Sequence, residues 1–195
     1  VLPARSLATV NRAVDPALFA YLNEHFYDGA LTSYPWGEEI TDGTPALTVE
    51  YVDVIGRVSD NAAFDSPSLE VQRVAEMAIE HAYRSPHQTL AVVTTTARHA
   101  QRIAEAVRQL LARYPQFAPY FAAGDESFRV VDVSRAVDME RDVIIFALGA
   151  GKTAQGAAHH FGHLSERSGR ESFVLATTRA RHLTRMVTCV TPEDL

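Results

Sequence analysis

The segment FALGAGKTAQG, residues 146–156, sets two glycines, a lysine and a threonine directly behind the apolar run DVII. Phosphate binding asks for such a set: a glycine-rich turn whose N–H groups converge on oxygens, a lysine for the outer phosphates, and a hydroxyl for the accompanying Mg²⁺. Gly149, Gly151, Lys152 and Thr153 would fill those roles, and Asp132, at the end of FRVVDVS, would be the metal carboxylate. The spacing fits incompletely. The full pattern has a glycine where this chain has Phe146, and the downstream stretch AQGAAHHFGHLSERSGRE, with three glycines, is a poor helix. A glycine-rich turn leaving a strand is the plainer reading, and an independent NTPase built on GAGKT is the alternative.

Other chemistry-bearing residues are scattered. His159, His160 and His163 in HHFGH offer imidazoles at i and i+3 or i+4, but no cysteine or carboxylate pattern accompanies them, and a solvated loop is expected. The single cysteine, Cys189, has no internal disulfide partner and reads as a small buried hydrophobe. Arg179 and Arg181 lie two apart in a segment read as helical, so they point away from each other and only one can face a given cleft.

These residues need a scaffold, and the apolar pattern predicts one. Helices are expected over DPALFAYLNEHFY (15–27, with Asp15 as cap and Pro16 in the first turn), SPSLEVQRVAEMAIEHAYRS (66–85), ARHAQRIAEAVRQLLARY (97–114, stopped by Pro115) and ESFVLATTRARHL (171–183). In the second of these, Leu69, Val74, Met77 or Ala78 and His81 are read along one side. Strands are expected over ALTVEYVDVIG (46–56), TLAVVTTT (89–96), FRVVDVS (128–134), DVIIFALG (142–149) and TRMVTCV (184–190). Strand-helix units in succession imply an α/β domain with a mainly parallel sheet and helices on both faces.

Composition bounds the partners. The chain has 195 residues, 47% of them apolar, which suffices for one domain with a substantial core, 1–195. A formal charge of −6 excludes a global basic field for nucleic acid, so any such contact must be local. Apolar runs fall short of the roughly 20 residues a membrane span needs. The opening VLPARSLATV lacks a leader pattern, and a piece of a longer, cytoplasmic protein is expected.

Taken in order, VDVSRAVDMERDVIIFALG and RESFVLATTRARHLTRMVTCVTPEDL resemble the last two motifs of superfamily-1 helicases, especially the Upf-like branch, with UvrD-like enzymes as relatives. LATVNRAVDPALFAYLNEHFYDGALTSYP looks like the family's Tyr-Arg motif and following helix, and LAVVTTTARHAQRIAEAV like its Gly-Val-Val-Thr segment. The resemblance covers nearly the whole chain and implies a second, C-terminal RecA-like domain, a three-layer sandwich. It implies that ATP and Mg are held mainly by a first RecA-like domain, the partner across the cleft, with single-stranded nucleic acid, DNA by preference, laid over both. By resemblance Arg179 would be the arginine finger and Arg12 would reach the γ-phosphate. Glu140 and Arg181 would lie by the nucleotide. Thr94, Thr95 and Ser134 would touch the phosphates of the strand. The chain departs from the family at Val137-Asp138 for Gln-Gly, at Val174-Leu175 for Asn-Val, at Asn11 for Tyr and at His99 for Gln. Val137 cannot make glutamine's hydrogen bonds, and Asp138 adds a negative charge where phosphate would approach. A degenerate helicase-like interaction domain is therefore a further alternative.

Overall fold

A computed structural model describes residues 8–10, 16–33, 45–52, 66–122, 124, 126–151 and 161–194. The chain divides into two compact units, Val1–Ala46 and Leu47–Leu195. In the first, strands β1 (Thr9–Val10) and β2 (Thr32–Ser33) pair in parallel around helix α1 (Pro16–Tyr27). Pro16 opens α1 as expected, because the first helical N–H has no intrahelical partner to lose. The Asn23 side chain clamps the returning chain, donating to Leu31 O and accepting from Leu31 N, both at 2.9 Å. Leu22 is the buried member of the apolar stripe.

The second unit holds a five-stranded sheet made of β3 (Leu47–Tyr51), β4 (Leu90–Thr94), β5 (Arg129–Asp132), β6 (Arg141–Ala147) and β7 (Ala180–Thr188). Its order is β3-β7-β6-β4-β5, with every pairing parallel. Parallel strands covered on both faces read as continuous apolar runs, and β4, LAVVT, is buried at every position. Their side chains alternate between two cores. Leu90, Val92, Val143 and Ile145 meet Val71, Val74, Met77, Ile103 and Val107 of helices α2 (Ser68–Arg84) and α3 (Ala97–Arg113). Ala91, Val93, Ile144 and Phe146 meet Ala176 of helix α5 (Gly169–Thr177) on the opposite face. A short helix α4 (Ala118–Ala122) follows Pro115, and its Tyr120 and Phe121 pack against the first core. This is the three-layer α/β arrangement expected of a RecA-like domain.

Two connections differ from the sequence reading. The predicted helix over 171–183 stops at Thr177, and residues 180–188 form β7. The hydroxyls of Thr177 and Thr178 bond back to Phe173 O (2.9 Å) and Val174 O (2.7 Å), the capping habit of residues that compete with the helix ladder. The chain beyond them pairs with β6 from Ala180 onward and with β3 from Thr184 onward, and this ladder outweighs the modest helical preference of ARHL. The other is the crossing from β5 to β6, which passes over β4 without an α-helix. It opens on a 3₁₀ turn (Val133–Arg135), and Val133, Ala136 and Met139 enter the core at every third residue.

Candidate nucleotide and nucleic-acid surfaces

The five strands of the larger sheet run the same way, so the candidate residues on it sort by edge. The carboxyl ends of β4, β6 and β7 gather Thr94, Thr95, Gly149 and Cys189 beside the start of α2 and α3. The amino ends of β6 and β7 gather Glu140, Asp142, Arg179 and Arg181. Arg12, Lys152, Thr153, His159 and His160 lie outside the described residues.

At the carboxyl edge the central group is Glu70, a fully buried carboxylate in the first turn of α2. Its Oε1 accepts the Gly149 N–H at 2.7 Å and lies 3.2 Å from His99 Nε2, and Cys189 Sγ–H points to Oε2 at 3.5 Å. The other ring nitrogen of His99, Nδ1, lies 2.8 Å from Ser66 Oγ. Both ring nitrogens of His99 are thus engaged, one by the Glu70 carboxyl group and the other by the Ser66 hydroxyl. Arg102 donates to Ser66 O and Oγ and, at 2.8 Å, to Ser68 Oγ. Ser66 itself has φ 74°, a left-handed conformation uncommon for a non-glycine residue.

Hydroxyl, imidazole and carboxylate therefore follow in series, as in acyl-transfer triads. Here the hydroxyl is buried and held by Arg102, so the series works as a lock between α2, α3 and the loop after β6. Gly149 has φ 65°, and a Cβ on it would lie 2.7 Å from the His99 ring. The glycine of GAGKT is thus required by its approach to His99, and its N–H is donated to an internal carboxylate. A phosphate would find that amide already engaged by an anion.

Thr94 and Thr95 are buried in the same edge, their hydroxyls donating to Thr96 O (2.8 Å) and Leu148 O. The Thr96 side chain caps α3 by accepting from His99 N at 3.2 Å. Ser134 is exposed beyond β5, and both its N–H and its Oγ bond to Asp132, so the carboxylate considered for a metal caps a turn. His163 Nδ1 lies 2.9 Å from Glu166. Among the described residues no group of three or more His, Cys, Asp or Glu is placed to hold a metal ion.

At the amino edge, Arg179 follows α5 rather than lying within it, and Arg181 is a β7 residue. Arg179 is buried, with Nη1 donating to Val137 O at 2.9 Å and Nη2 to Thr178 Oγ1 at 3.1 Å. Its carbonyl receives the Arg141 N–H at 3.2 Å. Arg181 is ringed by Glu126, by Asp142 at 3.1 Å and by Glu140 at 3.7 Å. These carboxylates hold the Arg181 guanidinium more firmly protonated than usual, chiefly through the Glu126 hydrogen bond. Glu126 is pulled below its ordinary range by the same bond. Asp142 is also lowered: burial opposes the shift, but hydrogen bonds from Thr89 and Arg181 outweigh it.

Sequence reasoning missed Glu70. Its signal was present, because residue 70 stands four before Val74 and seven before Met77, inside the apolar phase of the helix. Leu69, assigned to that side, is half exposed.

No family profile matches the chain, and no curated protein does. Among solved structures it is similar to the crystal structure of the C-terminal domain of a possible DNA helicase from Lactobacillus plantarum WCFS1, at 14% identity and a TM-score of 0.43, over 77% of this chain and 78% of that one. No helix among the described residues is long and apolar enough to cross a membrane.

Proposed function

We propose that this chain is the second, C-terminal RecA-like motor domain of an ATP-dependent superfamily-1 helicase, lending cations to an ATP site completed by a first RecA-like domain. The observation that carries the reading is the meeting of the two motif-like segments. Arg179, from TTRAR, binds the backbone of Val137, and Arg181 approaches Glu140, so VDMERD and TTRAR form one surface at the amino edge of the sheet. Bound ATP with Mg²⁺ would supply the phosphoryl group whose charge a guanidinium neutralises.

In this proposal Arg179 is the arginine finger and Arg12 a second cation towards the γ-phosphate. Glu140 and Arg181 border the nucleotide, and Ser134 with the backbone around Thr94 and Thr95 follows single-stranded nucleic acid, DNA by preference. Both threonine hydroxyls are buried and bonded to carbonyls, so Ser134 is the exposed hydroxyl of the three. For Arg179 to act, its guanidinium must leave the Val137 carbonyl, a side-chain rotation that docking of the partner domain would drive. ATPase activity of a protein carrying both RecA-like domains tests the assignment. Arg179→Ala should lower nucleic-acid-stimulated turnover by about 10³-fold or more while leaving the fold intact. Turnover within a few-fold of the parent would remove Arg179 from the finger role.

A second reading, a helicase-like domain that kept the fold and lost the motor, is favoured by the inward engagement of Arg179 and Arg181. A parent protein without nucleic-acid-stimulated ATPase activity would favour it. The independent NTPase reading is disfavoured by the Gly149 N–H bond to Glu70. It predicts tight MgATP binding by this chain alone, abolished by Lys152→Ala, and calorimetric titration decides the matter.

A further inference from the structure

On edge strand β5, Arg129 and Val131 project to the same side, two residues apart, the face whose core α5 covers. The crossing segment returns over them with Arg135, Asp138 and Met139, and Arg141 opens the next strand. Together these six residues line a cavity of about 340 Å³. Arg129 and Arg135 are exposed at its rim, whereas Arg141 is 5% exposed.

The bonding of Arg141 is incomplete in an informative way. Nη1 donates to Glu140 O at 2.6 Å and Nη2 to Ser127 O at 2.9 Å, but buried Nε has no hydrogen-bond partner among the described residues. No carboxylate among the described residues comes within ion-pair distance of this guanidinium. Buried charges are ordinarily paired, and a buried donor without an acceptor is costly. Burial, followed in weight by the opposing influence of Glu126 and then by Arg129, leaves the guanidinium less basic than usual. Arg135 meets Asp132 only at 3.8 Å and is 78% exposed at its side chain, so it is free to turn towards the cavity.

We propose that this cavity is an oxyanion site for a phosphate group, with Arg141 as its buried floor and Arg129 and Arg135 closing over the ligand. Guanidinium forks match tetrahedral oxyanions through paired N–H donors, and three around one cavity favour a doubly charged group over a single carboxylate. Asp138 at the rim opposes binding and limits affinity. The group can come from a free or terminal phosphate or from a nucleic-acid backbone. Asp138, Met139 and Arg141 belong to the VDMERD segment, but no residue given a nucleotide or nucleic-acid role in the motor reading lines the cavity, so the inference stands without that reading.

The test is an NMR titration of the chain, following the Arg141 Nε–H resonance against inorganic phosphate, a mononucleotide and an oligothymidylate, with chloride at matched ionic strength as control. Phosphate is expected to shift that resonance, and the exposed double variant Arg129→Gln/Arg135→Gln to weaken binding about tenfold or more. Asp138→Asn should tighten it, a change of opposite sign that a purely structural role for these residues would not give. Oligothymidylate binding at least tenfold tighter than inorganic phosphate would assign the source to a backbone, and equal affinities to a free or terminal phosphate. A resonance that no phosphate compound moves more than chloride does, or binding indifferent to the double variant, overturns the proposal.

Discussion

The two edges of the sheet use charge in opposite ways. At the carboxyl edge, Glu70 and His99 lie in a dry interior and each polar atom has a fixed partner, so the cluster ties helix to loop. At the amino edge, Arg181 faces three carboxylates with about a third of its side chain exposed, where water and salt screen each pair. The difference teaches where to expect stability and where adaptability. A buried acceptor cannot be replaced by solvent, whereas a half-exposed ion network can exchange partners when a ligand or a second domain arrives.

The sharpest way to break the contrast is Glu70→Ala. It leaves the Gly149 N–H and His99 without their acceptor inside the core, and should cost about 3–5 kcal/mol of unfolding free energy. Urea denaturation measures it, and a loss below about 1 kcal/mol would show that water or rearrangement reaches the cluster. Next in size is Gly149→Ala. The left-handed backbone alone costs about 1–2 kcal/mol, and the contact with the His99 ring adds to it. A wild-type melting temperature would mean that the loop after β6 gives way freely.

At the amino edge the effects are smaller. Arg181→Gln should change stability by about 1 kcal/mol or less, and the change should shrink with added salt. A salt-independent loss of several kcal/mol would erase the distinction between the edges. The same network carries an acid signature. Glu126 and Asp142 have folded pKa values below their ordinary ones, so the stability they contribute is present above the carboxylate range and is lost as pH falls through the lowered values. His81, lowered mainly by burial, contributes with the same sign at higher pH, because below its ordinary value the unfolded chain gains a proton that the folded one resists. Stability measured from pH 7 downwards should therefore fall in two stages, and His81→Gln should remove the upper one.

Much of the scaffold is readable from residue order alone. The uncharged runs LAVVT and VIIFA, short and β-branched, read as strands covered on both faces, and ARHAQRIAEAVRQLLARY carries its stop at Pro115. The sequence by itself thus determined an α/β domain with a parallel sheet. It also marked GAGKT as an incomplete phosphate loop through Phe146. Only the tertiary structure decided that residues 180–183 extend as strand, since their fate depends on pairing with β6, far away in the chain. Only it decided that the Gly149 amide belongs to Glu70, 79 positions earlier, and that Arg141 lies buried with no carboxylate among the described residues at ion-pair distance. Local pattern fixes what a segment can be. Which acceptor meets which donor is set by chain packing, and no spacing along the sequence records it.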